Sequence, residues 1–489
     1  MKSKLTKTLG TAGASLLLLV TPLSPAAAQT WIQLFPTGGP PINRVHHVGV
    51  YDPASNRMTI FGGLPFGIGT LTDTWVLADA NGLGAAPAWI ELTPTGGPPP
   101  TGGVPTAVYD PGSNRMIVFG GAGSKGIRND VWVLTAANGL GGIPTWIQLV
   151  PDGPAPSARF IHSAVYDPAS NRMTIYGGRF LNDVWVLSNA NGLGGSPAWT
   201  ELLPLGGPPA QRENHSAVYD PNSNRMIVFG GYNNFSGGEL GDVWVLTNAN
   251  GLGGTPTWVE LSPGGTGPGP RAGHGAVYDA THNVLTIFGG GGCDPVCGPH
   301  NDVWTLSNAN GLGGIPSWTQ LLPGGGPPQR RFGMAMVYDP SNDRAIIQDG
   351  QDCSVGPGCS FPNDVWVLTT ASGITTLEVA IDIKPGSFPN SINLGSRGVI
   401  PVAILTTNTF DATTVNPTKV LFGATGSEAG PIHSSLEDVD GDGDTDLILQ
   451  FNAEATGIQC GNTSASLTGK TFGGQVIHGS DSVNTVGCK

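Results

Sequence analysis

Short alternations of apolar and polar residues fill positions 31–368, broken at near-regular intervals by Gly, Pro and Asn. A period of two is the mark of a half-buried strand. Arg159 to Tyr166 alternates in this way, and Asp167-Pro168-Ala169-Ser170-Asn171 follows as a turn. There Pro fixes φ, and Asn tolerates the left-handed region. Arg172–Tyr176 reads as a second strand, and Gly177-Gly178 lets neighbouring backbones approach closely. Asp183–Leu187 is the third strand, Asn189–Pro197 a Gly-rich turn and Trp199–Leu202 the fourth. Four antiparallel strands on tight turns make one small sheet.

The whole unit recurs. Tyr-Asp stands at Tyr51, Tyr109, Tyr166, Tyr219, Tyr278 and Tyr338, with spacings of 58, 57, 53, 59 and 60 residues. A period of that size predicts radial or solenoidal repetition. All twelve Trp obey it. Six fall in the third strands (Trp75, Trp132, Trp185, Trp244, Trp304, Trp366) and six in the fourth (Trp31, Trp89, Trp146, Trp199, Trp258, Trp318). Packing between sheets is the expected use of so regular a set.

The repeating residues are an Arg opening strand one, a His three positions on, a Gly-Gly pair closing strand two, and the two Trp. On these the segment 31–368 resembles the kelch-repeat family. The resemblance implies an all-β, six-bladed propeller around a central channel. Gln348-Asp349-Gly350 departs from it, standing where Phe-Gly-Gly is expected. The segment opens with a fourth-type strand, Trp31–Leu34, and ends on a third-type strand, Asp364–Leu368. The first strand is therefore expected to complete the last blade, which pairs two edges that would otherwise invite aggregation.

Loops of two kinds result. The one-to-two and three-to-four loops are near copies in every repeat, which turn chemistry explains. The two-to-three and four-to-one loops differ, as in Leu64–Thr72, Ala122–Asn129, Tyr232–Gly241, Gly291–Asn301 and Gln351–Asn363. They share the opposite face, where a binding site is expected on a rigid frame. Candidate ligand-binding residues at the channel mouth are Arg44, His47, Arg159, His162, Arg212, His215, Arg271, His274 and Arg331. Gly102, Pro105 and Met334 interrupt the pattern. Two readings stand. The Arg ring attracts a carboxylate or sulfate, or Arg and His tie neighbouring blades together. The six Asp before Val-Trp or Thr-Trp (Asp73, Asp130, Asp183, Asp242, Asp302, Asp364) read as turn or cap residues.

Charge narrows the partners. The net charge is −13, and an acidic surface repels phosphate backbones, so nucleic acid is not expected. Lys2, Lys4 and Lys7, the apolar Leu16–Val20 and Ala26-Ala27-Ala28 form a secretory signal pattern over residues 1–28, with cleavage after Ala28. No transmembrane segment is expected, and the protein is expected to be a secreted monomer. Six Cys fall as Cys293/Cys297, Cys353/Cys359 and Cys460/Cys488. An oxidising compartment makes these disulfides, with a zinc site from the first four as the rival.

The period ends near Thr369, and residues 370–376 read as a linker. Leu377–Ile383, Val399–Leu405, Lys419–Phe422 and Asp446–Phe451 are strand-like and suggest a small β-sandwich over residues 377–489. The run from Ile381-Asp382-Ile383-Lys384-Pro385-Gly386 through Gly398–Leu405 resembles a C-terminal module of secreted bacterial proteins. Its loop, Asp438-Val-Asp440-Gly-Asp442-Gly443-Asp444-Thr-Asp446, crowds alternate carboxylates. Asp438, Asp440 and Asp442 fit calcium positions one, three and five, Asp444 offers its carbonyl, and Asp446 fits position nine. Leu449 stands where an EF-hand has its bidentate Glu, and a strand follows where a helix would. The loop looks more like the β-hairpin calcium loops of extracellular repeat proteins, and calcium is expected as a structural cofactor.

No Gly-x-Ser-x-Gly elbow, His-Glu-x-x-His or phosphate loop is present. The expected function is recognition of an extracellular protein or glycan on the variable-loop face. An extracellular carbohydrate-active enzyme using the Arg/His mouth and a structural surface component are the alternatives.

Overall fold

The computed structural model describes residues 29–489 except 68, 85, 101–102, 124–125, 235–237, 294–296, 355–358, 396–397 and 488–489. The expected signal segment, 1–28, lies outside the described residues. Two compact units are present among the described residues, 29–374 and 375–487. Both are built of strands, and the helical pieces among the described residues are the short 3-10 turns Ala412–Thr414, Pro417–Lys419 and Ala453–Ala455.

The first unit contains six four-stranded antiparallel sheets. Sheet three is typical: Ser163–Asp167, Arg172–Gly178, Leu181–Ser188 and Ala198–Leu202, paired in chain order. Sheet six differs in provenance. Its strands Ala335–Asp339, Arg344–Gln348 and Val365–Thr369 are joined by Trp31–Leu34, which runs antiparallel to Val365–Thr369 with Trp31 opposite Leu368 and Leu34 opposite Val365. First strands of successive sheets pack side by side, and Ala335–Asp339 of sheet six packs against Val48–Asp52 of sheet one.

Aromatic pairs lock successive sheets together. Five of the six fourth-strand Trp meet the ring that ends strand two of the preceding sheet. The pairs are Phe61 with Trp146, Phe119 with Trp199, Tyr176 with Trp258, Phe229 with Trp318 and Phe288 with Trp31, with ring centroids 5.0–5.1 Å apart. Such tilted contacts match the ring quadrupoles and add to the area buried. Gln348 takes the aromatic position in sheet six, so its seam with Trp89 of sheet one lacks the ring pair.

The second unit holds two four-stranded sheets around one core. Thr376–Glu378, Val476–Ser482, Ser464–Lys470 and Leu421–Gly423 form one; Ile381–Ile383, Val399–Ile404, Asp446–Asn452 and Pro431–Glu437 form the other. Phe422 and Phe451, one from each sheet, meet in the core with centroids 5.0 Å apart. The sequence reading of 377–383 as a single strand is corrected. The chain passes between the two sheets at Val379–Ala380, which lets both Val379 and Ile381 face the shared core.

Candidate ligand-binding face

The five repeat arginines are buried, with Arg44, Arg159, Arg212 and Arg331 wholly withdrawn from solvent. Arg212 shows their use. Its Nη1 and Nη2 donate to the two carboxylate oxygens of Asp242 at 2.8 and 2.7 Å, Nη1 donates again to the Gly230 carbonyl, and Nε donates to that of Ala210. Its own carbonyl accepts the Gly178 N–H of the preceding sheet at 2.9 Å. Arg44, Arg159, Arg271 and Arg331 repeat the arrangement with Asp73, Asp183, Asp302 and Asp364.

The expectation that Arg44, Arg159, Arg212, Arg271 and Arg331 bind a ligand is therefore corrected: every guanidinium is spent on a bidentate carboxylate and on carbonyls. The Asp residues are corrected too, since they are ion-pair partners and each also accepts the indole N–H of the Trp two positions on. Burial raises the carboxyls of Asp73, Asp183, Asp242 and Asp302, but the Arg hydrogen bonds and charge outweigh it and hold them below the usual range. In sheet two, where Gly102 stands in the Arg position, Asp130 pairs instead with Arg128 at 3.4 Å.

The histidines are also committed or neutral. His162, His215 and His274 share a hydrogen bond through Nε2 with Thr106, Ser163 and Ser216, each the opening residue of strand one in the preceding sheet. Ala335 holds that place beside His47, and both ring nitrogens of His47 lack a partner among the described residues. Burial, reinforced by the neighbouring Arg charge, holds His47, His162 and His215 well below the ordinary value and His274 at about 3. Neutral rings beside neutralised arginines do not make an anion site.

Sheet six resolves its odd Gln-Asp-Gly locally. In other sheets the repeat Arg donates its N–H to a carbonyl of the preceding two-to-three loop, such as Leu181 for Arg212 or Leu240 for Arg271. Pro362 occupies that loop position in sheet six. The carboxylate of Asp349 takes over, accepting the backbone N–H of Arg44 and of Asn363. Asp349 is fully buried and has φ 53°. Burial, with the Asp364 charge, pushes its carboxyl up to about 7 against the opposing pull of those two N–H groups and Arg331.

The two faces now separate physically. On the repeated-turn face, the Asn of each Asn-Gly-Leu-Gly reaches back to the Tyr-Asp turn of the sheet before: Asn138 to Asp52, Asn191 to Asp110, Asn250 to Asp167, Asn310 to Asp220, and Asn81 to Asp339 of sheet six. The repetition is thus an inter-sheet tie as well as turn chemistry. The variable-loop face instead carries cavities. One of about 780 Å³ is lined by Asn301, Gln329, Arg330, Asp352 and Ser360, among others. Another, of about 470 Å³, lies among Asn214, Tyr232, Glu239, Gly291 and Phe332. Sequence reasoning named the Tyr232–Gly241 loop but missed Tyr232, Glu239 and Phe332 as individuals. The available signal was that Tyr232 follows Gly-Gly at a position held by Leu64, Ala122, Arg179, Gly291 and Gln351 elsewhere.

In the second unit, carboxylate oxygens of Asp438, Asp440 and Asp442 lie within 4.8 Å of one another, all exposed. Partial desolvation and the charges of Asp442, Asp446 and Asp438 push the Asp440 carboxyl up. That repulsion is what a hard cation relieves, so the three carboxylates fit calcium. Asp444 stays outside the trio. Asp446 is corrected as a ligand: it is buried, and its two oxygens accept the N–H groups of Thr406 and Val439. Cys353 and Cys359 form a disulfide, which removes two of the four thiols the zinc reading requires. Cys460 is disulfide-bonded; Cys488 and the side chains of Cys293 and Cys297 lie outside the described residues.

Four-stranded antiparallel sheets repeated side by side, stapled by recurring Arg–Asp and aromatic pairs, define a β-propeller. A family model described as the KLHDC2/KLHL20/DRC7 Kelch-repeats domain matches residues 23–192, 143–250 and 182–377. The chain belongs to the kelch-repeat family. Adagio-like protein 3 of Oryza sativa subsp. japonica is 29% identical over 287 residues, 57% of this chain and 42% of that protein. Host cell factor 1 of Rattus norvegicus is 31% identical over 198 residues, 36% of this chain and 9% of that protein. The chain thus spans less than half the length of either relative. Among solved structures, YjhT aligns with 17% identity over 68% of this chain and 96% of its own, with a TM-score of 0.47. A fungal alcohol oxidase of the AA5 family, solved in complex with copper, aligns with 15% identity over 90% and 85%, with a TM-score of 0.44.

Proposed function

We propose that this chain is a secreted binding protein: a six-bladed kelch propeller, sealed by Trp31–Leu34, that recognises a protein through its variable-loop face. A C-terminal β-sandwich, stabilised by calcium at Asp438, Asp440 and Asp442, accompanies it. The carrying observation is the asymmetry of the faces. One is consumed by Asn-to-Asp ties between sheets, while the other bears unlike loops and the two large cavities. The enzyme alternative loses its residues, because the arginines it needs are already neutralised.

Screening the full chain against an array of extracellular proteins tests the reading. Binding should vanish when the long hairpin Tyr232–Gly241 is replaced by the short Arg179–Phe180 turn, and should survive Leu252→Ser on the repeated-turn face. Binding that tolerates the hairpin exchange, or an array with no captured protein, would refute it.

All twelve Trp lie in the propeller unit, so calorimetry and Trp fluorescence together assign the two unfolding transitions. Calcium at about a hundred times its Kd should stabilise the Trp-silent transition by about 2.7 kcal/mol, and Asp440→Asn should abolish the gain. An unchanged transition would count against the site.

A further inference from the structure

We infer that the cavity of about 470 Å³ between sheets four and six is a receptor for a cationic side chain, arginine or lysine, presented by the protein partner. The inference rests on the binding-protein reading and specifies which chemistry that face selects.

The cavity exists because of size differences between repeats. Across strands of sheet four, Glu213 lies opposite Tyr232, and Tyr232 opposite Glu239. Residues directly opposite in an antiparallel pair project from the same side. The matching bridges are Ala272 with Gly291 in sheet five and Phe332 with Gln351 in sheet six. Small residues thus floor a trough whose walls are Tyr232 with Glu239 on one side and Phe332 on the other. Its volume falls within the roughly 300–1,000 Å³ usual for specific pockets.

The lining selects charge. Glu239 is partly exposed, and its carboxylate makes no hydrogen bond or ion pair among the described residues; the same is true of Glu213, which lies across Tyr232 from it. Burial raises the Glu213 carboxyl, and no cation offsets it. Phe332 packs at a tilt against His46, centroids 6.1 Å apart, which fixes that wall. An aromatic face attracts a cation through its quadrupole, most strongly where water is displaced, and an uncommitted carboxylate supplies the opposing charge. The protein's net charge of −13 draws basic partners by long-range attraction. An acidic ligand would face the Glu239 carboxylate here.

The test uses the full chain and an array of random heptapeptides, followed by polarisation titrations of the strongest hits. Arg- and Lys-containing peptides should dominate, and replacing that residue by citrulline or norleucine should weaken binding about tenfold or more. Glu239→Gln should produce a similar loss. Gly291→Leu should block binding by filling the trough, since a Cβ there meets no atom within 4 Å and its φ is unstrained. Thermal unfolding of both variants should match the wild type. Hits without basic preference, or hits indifferent to both substitutions, would overturn the inference while leaving a protein-binding face. Absence of any peptide hit on the wild type, together with an empty protein array, would overturn both.

Discussion

Arg212→Ala should destabilise the propeller unit by about 3–5 kcal/mol, the usual cost of removing one member of a buried pair. The loss is large because the guanidinium holds four oxygen acceptors in one place. It joins the Asp242 carboxylate to the end of strand two and to the loop entering strand one. Its removal also leaves Asp242 with only the Trp244 indole among its side-chain partners. Denaturant titration followed by Trp fluorescence reads this directly, because every Trp sits in that unit. Arg212→Lys should rescue little, as an ammonium cannot reproduce the planar fork.

The pairs also set an acid limit. Asp73, Asp183, Asp242 and Asp302 have lowered carboxyl pKa values when folded. Their stabilisation is present above the unfolded value of about 3.9 and disappears as pH falls through the folded one. Loss of fluorescence midpoint below about pH 4 is expected, and it should shrink in Arg212→Ala. A variant as stable as wild type would show the pairs to be dispensable.

Asp349→Asn should behave in the opposite sense. The Asp349 carboxyl is raised to about 7 in the folded chain. A raised acid stabilises at low pH and surrenders that contribution as pH climbs to the folded value. Between about pH 4 and 7 the wild type should lose up to about 4 kcal/mol relative to the Asn variant, which mimics the neutral acid. The difference should stay constant above about pH 8. Parallel stability curves for the two proteins would sink this account of the seam. Asp349→Gly is a harsher change, because it strips the acceptor from the buried Arg44 N–H and the half-buried Asn363 N–H; a buried donor left without a partner costs about 1–3 kcal/mol.

How much of this was legible beforehand depends on the range of the interaction. Strand positions and turns follow local rules, so the strand at Ser163–Asp167 and the Asn171 turn were readable residue by residue, although the strand starts at Ser163 and not at Arg159 as the alternation suggested. The role of the repeat Asp was not. Asp242 is 30 residues from Arg212 in the chain, and nothing local distinguishes an ion-pair partner from a turn cap. The co-occurrence of Arg and Asp in five repeats was a usable hint. Asp446 misled for a related reason: spacing along a loop cannot tell a carboxylate facing an ion from one facing Thr406. The trough around Glu239 was invisible because it depends on what sheet five lacks, at Ala272 and Gly291, rather than on any motif.

Trp31–Leu34 lies 339 residues in sequence from its neighbour strand, measured between Thr30 and Thr369. A ribosome delivers that strand first and its mate last. Until residues 365–369 emerge, that strand has no partner strand to pair with. Chain elongation thereby becomes a clock on the final assembly step, and any nick or premature stop before Val365 leaves two raw edges instead of one finished sheet.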